Sequence, residues 1–493
     1  MIERLDSWLD GGDFTRTSLA RYRIIFAAIS LLVLPDFSWV AVYADSMYNP
    51  PPGPFRLFSG FPPETVLRSL EALFAVCLVA ILIGWRTRIA SFAAVLVAMI
   101  GFGFTYGVGK IDHDILLVLI PAALAVAGWG DRLSVDAWRR RHRGETEPPE
   151  RAEQWPLRLY VLAVGLAFLT AGLAKVHGDW LNPHSHAVQA LEARAFFTHG
   201  RHGLLAGPFV HMNNPVLWEA LDIATILLEV GMVVAVLSWA GTRFGFAAAS
   251  TFHLGVLFVM NIAFFMNVLI YGFVVRWDRI PVPRAMAGRV PRLPAGAVRA
   301  VPLVVIGGGI AWSFLIQSFG NAAVVVYPAV LVAGGLVGGG YLVMLGVRLI
   351  RALRDPGDSA AGRLVYDPDC GFCTRAARWL ARRRPDRVHI QPGLAPADQV
   401  PLGLTDDDIS QRAYWQDSSG ALSSGSAAIA AALVARGGAS LAVGRLLASP
   451  LVAPAAALVY GWITRHRQRP PDGPDARAVA ARASADDRHR ADT

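Results

Sequence analysis

Charge is the scarcest commodity in this chain: only 17% of its 493 residues are Asp, Glu, Lys or Arg, while 54% are hydrophobic. A soluble chain of that length carries nearer a quarter charged residues. The deficit is uneven, because long uncharged runs alternate with short basic stretches from about Leu19 to Val347, and ordinary soluble composition resumes beyond Leu353. Cysteine is nearly missing as well. Three cysteines exclude a disulfide framework, and Cys77, alone in an apolar run, reads as a small buried hydrophobe. No basic helix is interleaved with aromatics, so the net charge of +9 does not indicate nucleic-acid binding. Its positive residues fill the connections between apolar runs, where Lys and Arg are retained on the cytoplasmic side of a membrane. Met1 to Arg23 is polar and the first apolar run is long enough to span, so no cleavable signal is expected. Lysine is the sharpest shortage: of 46 basic residues only Lys110 and Lys175 are lysine. An ammonium can lose its proton where a guanidinium cannot, so the two survivors mark either chance or sites closed to arginine.

What is present is apolar length. A span needs about 20 apolar residues. Candidates run over Ile24–Val42, Leu67–Trp85, Ile89–Tyr106, Ile115–Trp129, Leu159–Ala174, Val216–Trp239, Phe244–Val275, Val301–Phe319 and Val324–Val347. Phe244–Val275 is too long for one upright helix and reads as a tight helical hairpin or as one span plus a re-entrant piece. The expected fold is therefore an α-helical multi-pass membrane bundle of about nine or ten spans with a C-terminal α/β thioredoxin-like domain. The expected boundaries are 1–350 for the bundle, 351–361 for a linker, 362–467 for the soluble domain and 468–493 for a disordered tail. Basic connections near the start, after the second and fourth spans, after the long segment and after the last span fall on one face. That places the C-terminal domain in the cytoplasm of a cell with this chain in its inner membrane, and Lys110, His113 and Lys175 at the outer face.

Thr170-Ala171-Gly172-Leu173-Ala174-Lys175-Val176-His177-Gly178-Asp179-Trp180 closes a span with a lysine, a polar turn and a tryptophan. A snorkelling Lys with an interfacial Trp explains it, and so does a desolvated Lys175 serving as a base. Asp112-His113-Asp114 opens the next candidate site, either as a polar turn at a helix start or as an imidazole oriented by carboxylates. His253 sits among apolar residues, as a bonded core histidine or a site member. His177, His184, His186, His199, His202 and His211 crowd one loop, but no carboxylate or Cys completes a metal-ligand spacing, and no metal is expected.

These segments resemble the vitamin K-dependent gamma-carboxylase and the related bacterial HTTM (horizontally transferred transmembrane) family. Ala171-Gly172, Lys175 and Asp179-Trp180 resemble its signature, Asp112-His113-Asp114-Ile115-Leu116 its His-containing segment, and Thr251-Phe252-His253 with Met260-Asn261 a later part. The resemblance covers about Leu5 to Arg279. It implies Lys175 as the base that deprotonates a reduced quinone of the vitamin K type, and His113 as an assistant at a carbanion. It also implies Asp112, Asp114, Asp179, Trp180 and His253 as substrate-binding residues, oxygen- and CO2-dependent chemistry, and a peptide or protein substrate at the bilayer.

Past Arg363, Leu364–Tyr366, Val388–Ile390 and Ala413–Trp415 read as strands. Cys370–Arg383 reads as a helix with Phe372, Ala376, Trp379 and Leu380 on one face, and Ser426–Arg436 and Leu441–Ile463 as further helices. Strand, Cys-x-x-Cys turn and helix is a thioredoxin-like order. Cys370 at the helix start is placed to be a stabilised thiolate, and Cys373 one turn on can resolve a mixed disulfide. A zinc site would need two more ligands, and no second Cys pair exists. Val365-Tyr366-Asp367-Pro368-Asp369-Cys370-Gly371-Phe372-Cys373, Ser424-Gly425-Ser426-Ala427-Ala428 and Tyr460…Arg465 resemble the DCC family of thiol–disulfide oxidoreductases, which implies a redox partner for the dithiol. The competing reading is a non-catalytic membrane anchor or assembly partner whose only activity is thiol–disulfide exchange.

Overall fold

Apolar composition fixes helices wherever backbone polar groups must be satisfied inside a lipid phase. The computed structural model describes residues 2–109, 114–281, 295–354, 361–395, 402–449 and 452–466. The expected tail 468–493 and most of the expected linker 351–361 lie outside them. The chain divides into two units, Met1–Leu342 and Val343–Thr493.

The first unit runs α1 (Ile2–Asp10), α2 (Arg16–Leu32), α3 (Glu64–Ile83), α4 (Thr87–Thr105), α5 (Asp114–Ala127), α6 (Val135–His142) and α7 (Trp155–His177). It continues through α8 (Ala187–Ala193), α9 (Ala206–Val210), α10 (Pro215–Ala235), α11 (Trp239–Met260), α12 (Phe265–Tyr271), α13 (Ala295–Phe319) and α14 (Ala323–Arg354), whose last residues, from Val343, belong to the second unit. Among the described residues, α3, α4, α7, α11, α13 and α14 are long and apolar enough to cross a membrane. Between them stand α2 with 17 residues, α5 with 14, and α10 with 21 residues that include Glu219, Asp222 and Glu229. Every expected span is thus helical, with two differences in detail. The first ends at Leu32 rather than Val42, and Glu71 of α3 binds the chain beyond it by accepting from the Phe37 and Ser38 amides at 2.7 and 2.9 Å. Phe244–Val275 turns back on itself, the first of its two alternatives: Arg243 ahead of it and Arg276 behind it meet at Asp13. α11 stops at a left-handed Asn261 (φ 49°), and the return arm holds the seven-residue α12, buried throughout except at Met266. Seven helical residues reach only about 10 Å, so the rest of the return is made by the chain before Phe265 and by the 3-10 turn Gly272–Val274.

Basic residues of the start, of the connection after α5 and of the segment after α12 meet acidic partners at one end of the first unit. Arg16 bonds Asp131 at 2.8 Å and Glu153 at 3.3 Å, Arg140 also reaches Asp131, and Arg243 and Arg276 share Asp13. Burial would raise Asp13, but the Arg243 hydrogen bond and the Arg243 and Arg276 charges outweigh it and hold the carboxyl below its usual value.

The second unit holds β1 (Gly362–Tyr366), α15 (Gly371–Ala381), β2 (Val388–Pro392), α16 (Asp406–Gln411), β3 (Tyr414–Asp417), β4 (Leu422–Ser424), α17 (Ser426–Arg436), α18 (Ala439–Ala448) and α19 (Ala453–His466). Its sheet order is β2-β1-β3-β4, with β1 and β2 parallel and the other pairs antiparallel. Two expectations are corrected. The buried face of α15 is Ala377 and Leu380 with Cys373 packed beside them, whereas Phe372 and Trp379 are each 51% exposed. Trp379 instead carries the Arg436 guanidinium at 3.5 Å. Leu441–Ile463 is two helices bent by 103° rather than one. Ser449 is forced extended (ψ 144°) by the proline that follows it in sequence.

Candidate functional site

Lys175 lies in the last turn of α7, where Gly172 lets α10 approach so closely that a Cβ would sit 2.8 Å from Val230 Cγ2. The approach puts Lys175 Nζ at 2.8 and 2.7 Å from the two carboxylate oxygens of Glu229. Both side chains are largely withdrawn from solvent, at 24% and 10% exposure. Trp180 covers the ammonium at 5.3 Å, and its backbone N–H donates a hydrogen bond to the Lys175 carbonyl at 3.3 Å.

The pair opens on a cavity of about 520 Å³. α10 lines it with Trp218, Leu221, Thr225 and Glu229, the three- and four-residue spacing of one helix face. α7 contributes Phe168 and Lys175, α11 Phe252 and His253, and α12 Asn267; Leu116 brings in the first turn of α5. Val188 and Leu191 of α8 border it too, and α8 is placed by the buried Asp222, which accepts from the Ala187 and Val188 amides at 2.8 Å each. His253, 4% exposed, meets the Tyr271 hydroxyl at 3.4 Å and lies among Phe168, Phe264 and Tyr271. It is therefore both a bonded core histidine and a lining residue. Asn267 is 6% exposed and its Oδ1 has no hydrogen-bond partner.

Of the expected site residues, Lys175, Trp180 and His253 share this cavity. Asp179 does not; it is exposed, left-handed (φ 68°), and accepts from Asn182 at 3.0 Å. Asp112 and His113 fall outside the described residues, as does Lys110, and Asp114 opens α5 with its side chain undescribed. Among the described residues no three His, Cys, Asp or Glu side chains form a group that could hold a metal ion. Glu229 was missed by sequence reasoning, although the signal stood in plain view: a carboxylate inside an apolar run is a site candidate by default. Glu192 of α8 was missed as well. It is fully buried, neither carboxylate oxygen has a partner, and burial pushes it up to about 7.

In the second unit Cys370 and Cys373 are joined as a disulfide. Cys370 caps α15, its Sγ accepting from the Cys373 amide at 3.2 Å, and is fully buried, while Cys373 is partly exposed. β3 opens at Tyr414 after Arg412-Ala413, so no proline precedes it, and the described peptides are all trans. Ser424-Gly425-Ser426 passes from β4 into α17 beneath Tyr460, whose hydroxyl accepts from the Ala413 amide at 2.9 Å.

Residues 13–277 match the family model of the HTTM domain, and residues 364–471 match that of the DCC1-like thiol-disulfide oxidoreductase. No curated protein and no solved structure matches the chain. With more than half of its length inside the first match, the chain belongs to the HTTM family, and it carries a DCC1-like thiol–disulfide oxidoreductase domain behind the membrane bundle.

Proposed function

We propose that the membrane unit is an enzyme whose cavity takes a reduced quinone, with Lys175 as its base and Glu229 as the proton partner of that base, and that the soluble unit exchanges dithiol for disulfide. The observation carrying this is the ammonium–carboxylate pair at 2.7–2.8 Å on the wall of an aromatic-lined cavity. The residues fit such a ligand. Phe168, Phe209, Phe252 and Trp218 suit a flat ring, about 520 Å³ holds a molecule of that size, and the Asn267 amide and Thr225 hydroxyl offer polar contacts. A reduced quinone, when bound, supplies the oxygen-dependent step from which CO2-dependent chemistry follows.

The chain's own part is proton handling in a dry place. Transfer of a proton from Lys175 Nζ to Glu229 leaves the cavity's net charge unchanged and frees an amine lone pair. Trp180 above Nζ limits the entry of water. Arg could hold Glu229 equally well but could not yield the amine. By the positive-inside rule the end carrying Arg16, Arg132, Arg140 and Arg276 is cytoplasmic in an inner membrane, and the dithiol domain follows the Arg348, Arg351 and Arg354 end of α14 to that side. The cavity then opens toward the outer face, so any exchange of electrons between dithiol and cavity needs a carrier that diffuses in the bilayer. A peptide or protein is the proposed acceptor, and a thiol protein the partner of Cys370 and Cys373.

One feature favours a second reading. The tight Gly172 contact and the two-pronged ion pair are also what a lock between α7 and α10 requires, as in a scaffold whose only activity belongs to the dithiol. Quinol- and oxygen-dependent turnover of the full chain in lipid, compared among wild type, Lys175→Arg and Cys370→Ser, separates the two. Loss in Lys175→Arg with an intact thermal transition supports the base; undiminished turnover ends it. Labelling of cysteines introduced near Arg140 and His184 tests the orientation.

A further inference from the structure

The outward face of the α18–α19 hairpin is unusually apolar for a soluble domain. The inward face of α18 is ordinary core, whereas no residue of α19 is fully buried. Leu441 is fully buried and Leu447 packs on the sheet domain's cluster. Gly444 sits so close to α17 that a Cβ would meet Val434 Cγ2 at 2.9 Å, and the Tyr460 hydroxyl ties α19 to Ala413, the residue before β3. The other side shows Val443 and Leu446 of α18 and Leu458, Val459 and Trp462 of α19, which are 49%, 58%, 76%, 57% and 57% exposed. Positions 443/446 and 458/459/462 follow helical spacing, so each helix presents one apolar stripe. Large apolar groups grouped on one surface mark a docking face.

Charge identifies what docks. From Gly437 to Arg469 the sequence has no Asp or Glu, and it carries Arg445, Arg465, His466, Arg467 and Arg469. An apolar helix face with Trp near a run of arginines and without acids matches an interfacial helix on anionic lipid. Length identifies which lipid surface. Seven residues separate Arg354, the end of the last long apolar helix, from Gly362 of β1, a tether of at most roughly 25 Å. We propose that this hairpin face lies in the headgroup layer of the bilayer that holds the bundle, with anionic lipid as its partner. Both helices stay on the surface rather than crossing, because α18 packs on the domain's core and the Tyr460 hydroxyl fastens α19 beside Gly425 and Ala413. The surface contact goes beyond the dithiol activity and does not depend on the quinone site. It would keep Cys370 and Cys373 at the lipid boundary.

The test uses the full chain in liposomes containing anionic lipid, with nitroxides at Val459→Cys, at Leu458→Cys and, as an aqueous reference, at Ser419→Cys in the exposed β3–β4 turn. The background is Cys77→Ser, Cys370→Ser and Cys373→Ser. Collision with dissolved oxygen should exceed collision with a water-soluble nickel chelate at 458 and 459, and nickel access there should fall at least about fivefold below 419. Zwitterionic lipid alone should restore part of that access. Nickel access equal to that at 419 would show a face bare in water and overturn the proposal. Shielding from both reagents would show protein covering it, a second copy or another segment, and would overturn it equally.

Discussion

Glu229→Gln removes the negative half of the pair and leaves the Lys175 ammonium facing an amide. Exposed ion pairs contribute about 0–1 kcal/mol, while breaking a buried one costs about 3–5 kcal/mol. With Lys175 at 24% and Glu229 at 10% exposure, the pair lies between those limits, and a loss of about 2 kcal/mol is expected. Lys175→Met should cost a similar amount by leaving a carboxylate uncompensated. The double variant Lys175→Met/Glu229→Leu buries no charge, so its loss should fall short of the sum by about 1–2 kcal/mol. Lys175→Arg keeps both charges and should stay within about 1 kcal/mol of wild type. Its turnover should nevertheless fall by about 10²–10⁴, the usual contribution of a general base. Thermal unfolding in lipid nanodiscs reads the first set, and quinol-dependent oxygen uptake reads the second. Additive single losses, or a Glu229→Gln loss below about 0.5 kcal/mol, would mean that the pair is not closed in the protein and would refute the site as built here.

Glu192 makes stability fall as pH rises. Its carboxyl sits at about 7 when folded against an ordinary 4.5, so between those values the folded state keeps a proton that the unfolded chain has lost. The stabilisation is full below 4.5, declines between 4.5 and 7, and is gone above 7, a change of roughly 3 kcal/mol at most. Glu192→Gln should flatten that dependence in a pH series of thermal transitions. Gly172→Leu should separate α7 from α10, with a loss of about 1–3 kcal/mol or more and weakened retention of any ring ligand, read by unfolding and by quinol binding. Cys370→Ser should abolish exchange with a disulfide reporter while leaving quinol-dependent turnover in place, since the dithiol and the Lys175 cavity belong to separate units.

Hydropathy made the helices legible because lipid leaves the backbone few choices. The same property blurred their ends. The early stop of Ile24–Val42 was legible in Pro35, which has no amide hydrogen to continue the helix, but the capture of the Phe37 and Ser38 amides by Glu71, distant in sequence, was not. Lys175 stood out through its rarity, and Trp180 and His253 through short segments similar to a known family. Glu229 was hidden by being read as part of a span; its partner became visible only when α7 and α10 were packed through Gly172. The α15 face was misjudged because the aromatics Phe372 and Trp379 looked like core. Small Ala377 and Cys373 fit the sheet there, and the large rings point outward. Composition gives apolar character, but only packing decides which apolar group is inside.

The pattern of ion pairs bears on why a lysine stands at 175. Among the described residues, every ion pair but one uses arginine, from Arg16–Asp131 to Arg384–Asp386. Arginine is the better choice for a two-pronged carboxylate contact, since its planar fork matches both oxygens. At the pair contacting both oxygens of Glu229, the chain nevertheless has lysine. A purely structural lock between α7 and α10 gives no reason for that exception in a sequence with 44 arginines (46 basic residues less two lysines). Release of a proton does, because the fixed guanidinium charge would make the pair permanent. The exception also sets a limit on the scaffold reading. A scaffold should accept Lys175→Arg with undiminished function and a slightly tighter pair, whereas a proton-handling site should keep the fold and lose the chemistry.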